Sequence, residues 1–228
     1  MSVDNYYEKD SSFQKKLESE NFKKLLKQKN FSKNLEGDKT AILMTCPEIV
    51  IEHLAQKVSK YKSAVELCCG IGLTTIKIAE KIDRVIGIDI DESRIKFAEI
   101  NAKKYGVDKK TSFIVGDVLD INLLKTLKAD VVILDPEWSA SKSHENINNK
   151  SLIELTNPNM KELFNKAKEI ISDNIIMKVP NTFEFDTLNT LGKCEIDNII
   201  WNDKIMLKYV YFSKNIIENK EEKYYFDI

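Results

Sequence analysis

The chain has 228 residues, of which 43% are hydrophobic and 31% are charged, and its formal net charge is −1. These values are typical of one soluble globular domain with a short appendage. The net charge alone gives no reason to expect a nucleic-acid partner. No apolar run approaches the ~18 residues that a membrane span needs, so we expect no membrane partner.

Cysteine spacing and the N-terminal composition bear on metals and on location. The four cysteines, Cys46, Cys68, Cys69 and Cys194, lack metal-ligand spacing, and neighbouring Cys68 and Cys69 cannot easily form a relaxed disulfide. We therefore predict no metal site and reduced thiols. The polar, acidic stretch 1–10 does not look like a secretory signal. A cytoplasmic location is predicted, or a nuclear one in a eukaryote.

Residues 1–38 are predicted to form a basic helical arm that ends at Gly37-Asp38, and residues 39–228 the main domain. Between Phe13 and Leu35 there are seven lysines against Glu18 and Glu20, a local excess of 7 − 2 = +5, with three phenylalanines among them. Such a segment suits phosphate and base contacts. A solvated helix explains it equally well.

Beyond the arm, a helix is expected to begin at Pro47, and from residue 62 short apolar segments alternate with amphipathic ones. Strands this apolar indicate a parallel sheet with helices on both faces, and right-handed crossovers make it doubly wound. The three-residue link 202–204 permits only an antiparallel hairpin. We therefore predict an α/β fold, a doubly wound, mostly parallel seven-stranded sheet with a C-terminal antiparallel hairpin. The predicted strands are 64–67, 84–88, 112–115, 129–134, 174–179, 195–201 and 205–212, and the later helices are 73–81, 92–105, 121–127, 160–171 and 186–191.

Three successive predicted strands end in residues that suit a nucleoside cofactor. The first carries Glu66 and runs into the small-residue turn 68–72, where the backbone can approach a ligand. Asp89 ends the second strand and can accept from ribose hydroxyls, and Asp117 follows the third and can accept from an adenine amino group. Tight turns and helix caps explain any one of these features. Thr75 stands where a nicotinamide-dinucleotide fingerprint needs a third small residue, which disfavours that cofactor.

The fourth predicted strand runs into Asp135-Pro136-Glu137-Trp138. The exocyclic amine of a base is a poor nucleophile because its lone pair is delocalised into the ring. A carboxylate and a main-chain carbonyl can hold the amine hydrogens, and a neighbouring aromatic ring can stack on the base. Asp135, the carbonyl of Pro136 and Trp138 supply these parts. The alternative is that Asp135-Pro136 only begins a loop and that Trp138 belongs to the core.

The chain resembles the RNA cap guanine-N2 methyltransferases, the trimethylguanosine synthase family. The tetrapeptide 135–138 is similar to the Asp/Asn/Ser-Pro-Pro-aromatic motif of amino-directed nucleic-acid methyltransferases, and 66–72 is similar to the family's Asp-x-x-Cys-Gly-x-Gly. The resemblance covers roughly residues 40 to 215, and its other segments are Thr45–Glu48, Ile51–Ala55, Val85–Asp91, Lys128–Val132 and Asn202–Lys208.

This resemblance implies a Rossmann-like class I methyltransferase fold with S-adenosyl-L-methionine as cofactor. It implies that Asp135, Pro136 and Trp138 are the catalytic residues that present a guanine of an RNA substrate. We expect the RNA to contact the N-terminal arm and the loop after Trp138. The residues expected to bind the cofactor are Glu66, Cys68, Gly70, Gly72, Asp89, Ile90, Asp117 and Val118.

The sequence departs from the family pattern in the catalytic segment. Glu137 stands where the motif has its second proline, and Ser139-Ala140 where it has two glycines. Other functions therefore stay open: a tRNA guanine-N2 methyltransferase, a DNA or RNA adenine-N6 methyltransferase, or a non-catalytic RNA-binding member of the fold. In the loop, His144 is either a proton acceptor or an exposed side chain. Lys178 is predicted to face a substrate phosphate.

Overall fold

The computed structural model describes residues 20–138, 156–183 and 185–226, which form one α/β unit around an eight-stranded sheet. The strand order is β3-β2-β1-β4-β5-β7-β6-β8. The strands are β1 Ser63–Leu67, β2 Arg84–Asp89, β3 Thr111–Val115, β4 Val131–Leu134, β5 Ile175–Pro180, β6 Cys194–Trp201, β7 Lys204–Phe212 and β8 Lys220–Phe226. The helices of the described residues are α1 Glu20–Lys29, α2 Lys39–Met44, α3 Glu48–Val58, α4 Leu73–Ala79, α5 Glu92–Tyr105, α6 Ile121–Lys125, α7 Met160–Ile170 and α8 Phe185–Asn189.

Strands β1 to β5 pair in parallel, as the apolar composition predicted. Every residue of β4 is buried, because helices cover both faces of the sheet. On one face the core contains Phe164 of α7 and Leu124 of α6. On the other it contains Leu54 of α3 and Ile76 of α4. The chain order reverses between β1 and β4, and this switch point is where sheets of this kind bind ligands.

The C-terminal antiparallel hairpin is also confirmed, since β7 pairs with both β5 and β6. Its turn places Asn202 at φ +49° and Asp203 at φ +61°, the positive values that a tight hairpin turn needs. The predicted number of seven strands is wrong by one. Strand β8 pairs in parallel with β6 at the edge of the sheet. It begins with Lys-Glu-Glu-Lys, which is typical of an exposed edge strand. Because these residues are charged, the pattern of apolar segments did not predict this strand.

The described part of the N-terminal region contacts the main sheet unit closely. The carboxylate of Glu48 accepts hydrogen bonds from Ser32 N at 2.6 Å and Ser32 Oγ at 2.7 Å. Asn101 Oδ1 accepts from Glu36 N at 2.8 Å. Asp38 caps α2 by accepting from Ala41 N at 2.7 Å. These contacts join the end of the predicted arm to α3 and α5, whereas residues 1–19 lie outside the described residues.

Neither a membrane-spanning helix nor a metal-holding cluster occurs among the described residues. No described helix combines the length and the apolar character needed to cross a membrane. Nowhere in residues 20–138, 156–183 and 185–226 do three or more histidine, cysteine or acidic side chains form a group that could hold a metal ion.

Candidate active site

A cavity of about 1080 Å³ opens at the carboxyl ends of the parallel strands. Its walls come from the turn after β1, the ends of β2, β4 and β5, and the segment between α2 and α3. The predicted site residues on its lining are Cys68, Gly70, Gly72, Asp89, Ile90, Asp117, Val118, Asp135, Pro136 and Trp138. The fold thus brings ten of the eleven predicted site residues to one cavity, and the exception is Glu66.

The turn after β1 needs its glycines for two different reasons. Cys68, Gly70 and Gly72 all have positive φ, at +68°, +54° and +82°. A Cβ at Gly72 would lie 2.7 Å from the Cβ of Ala98 and 3.0 Å from the ring of Phe113, so this glycine allows α5 and β3 to pack against the turn. A Cβ at Gly70 would have no atom within 4 Å. Gly70 therefore leaves open space in the cavity wall where a ligand can approach the backbone.

Asp89 fixes the end of β2 to this turn. Its Oδ2 accepts from Gly70 N at 2.8 Å and its Oδ1 accepts from Asp91 N at 3.0 Å. Burial raises the pKa of Asp89, and the hydrogen bonds from Asp91 and Gly70 partly oppose that effect. Each carboxylate oxygen keeps a further lone pair for a ligand hydroxyl. The neighbouring Ile90 side chain is 65% exposed and forms an apolar part of the lining.

The third predicted acid lies at the rim of the same cavity. Asp117 is exposed, and its Oδ1 accepts from Leu119 N at 2.8 Å. Val118 is only 4% exposed and belongs both to the core and to the lining. This pair therefore offers a free carboxylate oxygen beside an apolar surface, an arrangement that suits an amino-substituted aromatic ring.

Glu66 lies behind the turn instead of on the cavity lining. It is 1% exposed, and its carboxylate accepts a hydrogen bond from the hydroxyl of Thr75 in α4. Burial raises the pKa of Glu66 to about 8, although the Thr75 hydrogen bond acts in the opposite direction. The observed role of Glu66 is thus to join β1 to α4. The contact also explains why a threonine stands where a dinucleotide fingerprint would have a small residue.

Asp135 and Pro136 line the cavity beside the glycine turn, directly after β4. The backbone N–H of Asp135 donates to Leu67 O at 3.2 Å, which fixes the start of the tetrapeptide to the end of β1. The Asp135 carboxylate forms an ion pair with Lys178 of β5, with Oδ2 2.6 Å from Nζ. Lys178 therefore faces Asp135 and not a substrate phosphate, contrary to the prediction from the sequence.

The second half of the tetrapeptide is held by its neighbours. Glu137 forms a two-residue antiparallel bridge with Asn157, with both N–H···O distances at 3.1 Å. The Trp138 ring meets the Phe183 ring edge to face at 4.9 Å between centroids. Trp138 is half-buried and packs against the core while it also lines the cavity. Trp138 therefore belongs partly to the core, and its role as a stacking surface stays a prediction.

Several lining residues were not singled out from the sequence as site residues. Met206 and Leu207 come from the hairpin, and Asn157 and Pro158 from the segment before α7. From the N-terminal side come Ala41, Met44, Thr45 and Cys46. Thr45 and Cys46 belong to a segment that resembles the family, and this resemblance could have identified them as site residues. Met206 and Leu207 reach the cavity only through the sheet order. His144 and residues 139–155 of the predicted substrate loop lie outside the described residues.

The charge of the lining is predominantly negative. Its carboxylates outnumber its cationic side chains, although the net charge of the whole chain is only −1. Such a lining favours a ligand that carries positive charge. The carboxylates are Asp89, Asp91, Glu92, Asp117, Asp135 and Glu137, and the cations are Arg94 and Lys178.

Two curated relatives share part of this chain. An uncharacterized RNA methyltransferase of Clostridium tetani is 36% identical over 78 residues, which are 34% of this chain and 17% of that protein. The tRNA (uracil(54)-C(5))-methyltransferase of Saccharomyces cerevisiae is 39% identical over 80 residues, which are 34% of this chain and 12% of that protein. The matched part is thus less than a fifth of the length of either relative.

Fold and family comparisons cover more of the chain. The structure of a SAM-dependent methyltransferase from Agrobacterium tumefaciens has a TM-score of 0.57 at 14% identity and covers 75% of this chain and 63% of that one. This likeness confirms the Rossmann-like methyltransferase fold. The model of the RNA cap guanine-N2 methyltransferase family matches residues 61–223. Because that match extends over well more than half of the sequence, the chain belongs to the RNA cap guanine-N2 methyltransferase family.

Proposed function

We propose that this chain transfers a methyl group from S-adenosylmethionine to the exocyclic N2 amino group of guanine in RNA, in a cytoplasm where its four free cysteines stay reduced. The observation that carries the proposal is the shared cavity. The glycine turn, Asp89, Asp135 and Pro136 all line the same space.

The cofactor side suits S-adenosylmethionine in the charge and chemistry of its residues. When bound, this cofactor supplies a methyl group on a positively charged sulfonium, which suits the acidic lining. Gly70 leaves the backbone open to the methionine part. Asp89 is placed to accept from the ribose hydroxyls, and the exposed Ile90 side chain offers an apolar surface to the adenine ring. Asp117 is the acceptor that we assign to the adenine amino group.

The substrate side provides what a weakly nucleophilic amine requires. The Asp135 carboxylate and the carbonyl of Pro136 hold the two amine hydrogens and so direct the nitrogen lone pair toward the methyl carbon. Trp138 offers its half-buried ring as a stacking surface for the guanine. Positioning of this kind accounts for most of the catalysis that the reaction needs, because the methyl group is already activated on sulfur.

The RNA chain is proposed to follow the lysines of the N-terminal helix. Lys24 and Lys27 of α1 are exposed. On the same helix, Lys29 is 6% exposed and donates to the carbonyls of Ile42, Leu43 and Thr45. Thr45 lines the cavity, so this contact brings α1 close to the site. The exposed lysines can then neutralise phosphates outside a cavity that is itself acidic.

The decisive experiment is transfer of labelled methyl groups to two RNA pools, 7-methylguanosine-capped RNA and uncapped total small RNA, followed by nucleoside mass spectrometry. N2-methylated 7-methylguanosine places the reaction on the cap, and N2-methylguanosine from the uncapped pool alone places it on an internal guanine. N6-methyladenosine as the product would contradict the assignment to guanine. Cofactor binding without a product in either pool would favour the non-catalytic RNA-binding alternative.

The Asp135→Ala variant tests the assigned site in the same assay. We expect methyl transfer to fall by about 100-fold or more, since this variant removes an acceptor that orients the amine. The affinity for the cofactor should stay close to that of the wild type, because Asp135 lies on the substrate side. Full activity in this variant would rule out the assigned role of Asp135.

A further inference from the structure

The ion pair between Lys178 and Asp135 lies inside the proposed substrate side of the cavity. The Nζ–Oδ2 distance is 2.6 Å, and the two side chains are 18% and 20% exposed. Burial lowers the pKa of Lys178, and the Asp135 carboxylate is the largest of the influences that raise it; the resulting pKa lies well above the ordinary value. With its Nζ on a carboxylate oxygen, Lys178 is a cation at neutral pH.

Several titratable groups surround the pair, and Asp135 is the one that contacts the Lys178 ammonium directly. Burial raises the pKa of Glu66 to about 8 and raises the pKa of Cys68 and of Tyr209 well above their ordinary values, so all three are mostly uncharged at neutral pH. Burial lowers the pKa of Lys29 to about 8, and this lysine is already held by the carbonyls at the end of α2. The titratable groups that face the pair are Lys29 from α1, Cys46 before α3, Glu66 from β1, Cys68 after β1 and Tyr209 from β7.

We propose that Lys178 is a positioning residue that acts through Asp135: it binds Oδ2, fixes the orientation of the carboxylate, and leaves Oδ1 as the acceptor for the substrate amine. The inference rests on the proposed function. A carboxylate bound through one oxygen has fewer orientations than a free one, and its second oxygen points in a defined direction. Lys178 thereby fixes the direction in which the amine must approach.

The same pair defines what Asp135 does during transfer. The nitrogen–carbon bond forms as the carbon–sulfur bond of the cofactor breaks, and the nitrogen then releases one proton. Asp135 orients the amine through Oδ1 while Lys178 occupies Oδ2. The released proton passes to solvent water once the methylated amine leaves the two acceptors.

A double-mutant cycle with Lys178→Met and Asp135→Asn tests whether Lys178 acts through Asp135. We expect Lys178→Met to lower kcat by about 10- to 100-fold with the KM for RNA and the cofactor Kd within about threefold, because the acceptor loses its orientation. Lys178→Arg keeps the charge and should recover most of kcat. In the Asp135→Asn background, Lys178→Met should cause no further loss. Multiplicative losses, or a rise in KM alone, would show that Lys178 contacts RNA independently and would overturn the inference.

A second double-mutant cycle, on thermal stability, measures the coupling between Lys178 and Asp135 without any methyl transfer. Each single variant leaves a buried charge without its partner, so each melting temperature should fall by several degrees. The double variant should be more stable than either single variant. If the falls in melting temperature of the two single variants add up in the double variant, the inference is overturned even in an active enzyme. If the two stabilities are coupled but the protein methylates no RNA, the proposed function is removed and the pair between Lys178 and Asp135 stands. Lys178→Gln replaces Lys178→Met if the latter does not fold.

Discussion

The carboxylate of Asp89 accepts a hydrogen bond from the backbone N–H of Gly70 at 2.8 Å, which joins the end of β2 to the turn after β1. These two residues are 19 positions apart in the sequence. The contact shapes the proposed cofactor side, because the acceptor assigned to the ribose also holds the turn assigned to the methionine part. Changes at Asp89 should therefore affect the ligand and the turn together.

Asp89→Ala should weaken cofactor binding by about 10- to 100-fold, because charge-assisted hydrogen bonds contribute roughly 1.5–3 kcal/mol. Isothermal titration calorimetry with S-adenosylmethionine measures the effect. Asp117→Ala is the matched control, since the rim carboxylate is exposed and should contribute less. Equal affinities for Asp89→Ala and the wild type would contradict the assigned contact.

Gly72→Ala should unfold the domain more readily than Gly70→Ala. Both positions have positive φ, where a side chain costs about 1–2 kcal/mol. Only at Gly72 would the new methyl group also meet Ala98, at 2.7 Å. Urea denaturation should therefore show the larger fall in the free energy of unfolding for Gly72→Ala. The opposite ranking would mean that α5 does not pack against the turn as observed.

Glu66 should make stability depend on pH. Its pKa in the folded protein is raised to about 8 from an ordinary 4.5, so between these values the folded state binds more protons than the unfolded state. The sign is that the contribution of Glu66 to the free energy of unfolding falls as the pH rises from about 4.5 to 8, by at most about 1.4 kcal/mol per pH unit.

Glu66→Gln isolates this contribution, because the amide can still accept from Thr75 and does not titrate. Urea unfolding of both proteins at pH 5, 6, 7 and 8 should show the variant gaining stability relative to the wild type as the pH rises. A difference that stays constant across this range would show that Glu66 is not buried as a neutral acid.

Phe183→Leu should affect RNA more than the cofactor. The variant removes the ring that meets Trp138 edge to face, while an apolar side chain remains in the core. We expect the KM for RNA to rise about 3- to 10-fold, since aromatic stacking on a base is worth roughly 1–3 kcal/mol and depends on ring orientation. The cofactor Kd should not change. In a Trp201→Phe background, quenching of the remaining Trp138 fluorescence by RNA reports the same contact directly.

The features that the sequence predicted correctly depend on residues that lie close together in the chain. The parallel strands and the hairpin follow from apolar segments and a short turn, and the ends of β1, β2 and β4 place the glycine turn, Asp89 and Asp135 at one edge. The position of Glu66 could not be predicted in this way, because a side chain at the end of a strand can point toward the ligand or behind it. Its contact with Thr75 decides the matter only once α4 is packed.

The other failures have a similar physical cause. The ion pair of Lys178 with Asp135 joins residues 43 positions apart on neighbouring strands, and it depends on the sheet order. Strand β8 was missed because its first residues are charged and its pairing with β6 comes from the fold. Signals that require two distant segments to meet are absent from any single stretch of sequence.

The bridge between Glu137 and Asn157 separates the chain before it, which carries Asp135 and Pro136, from the segment that it encloses. It joins the chain on either side of residues 139–155 at one point beside the cavity, within the tetrapeptide that we propose presents the base. Insertions, deletions or exchanges between these two anchor points can occur without displacing Asp135 or Pro136. A segment of another length or sequence between the same two anchor points would thus leave the proposed site for the amine unchanged.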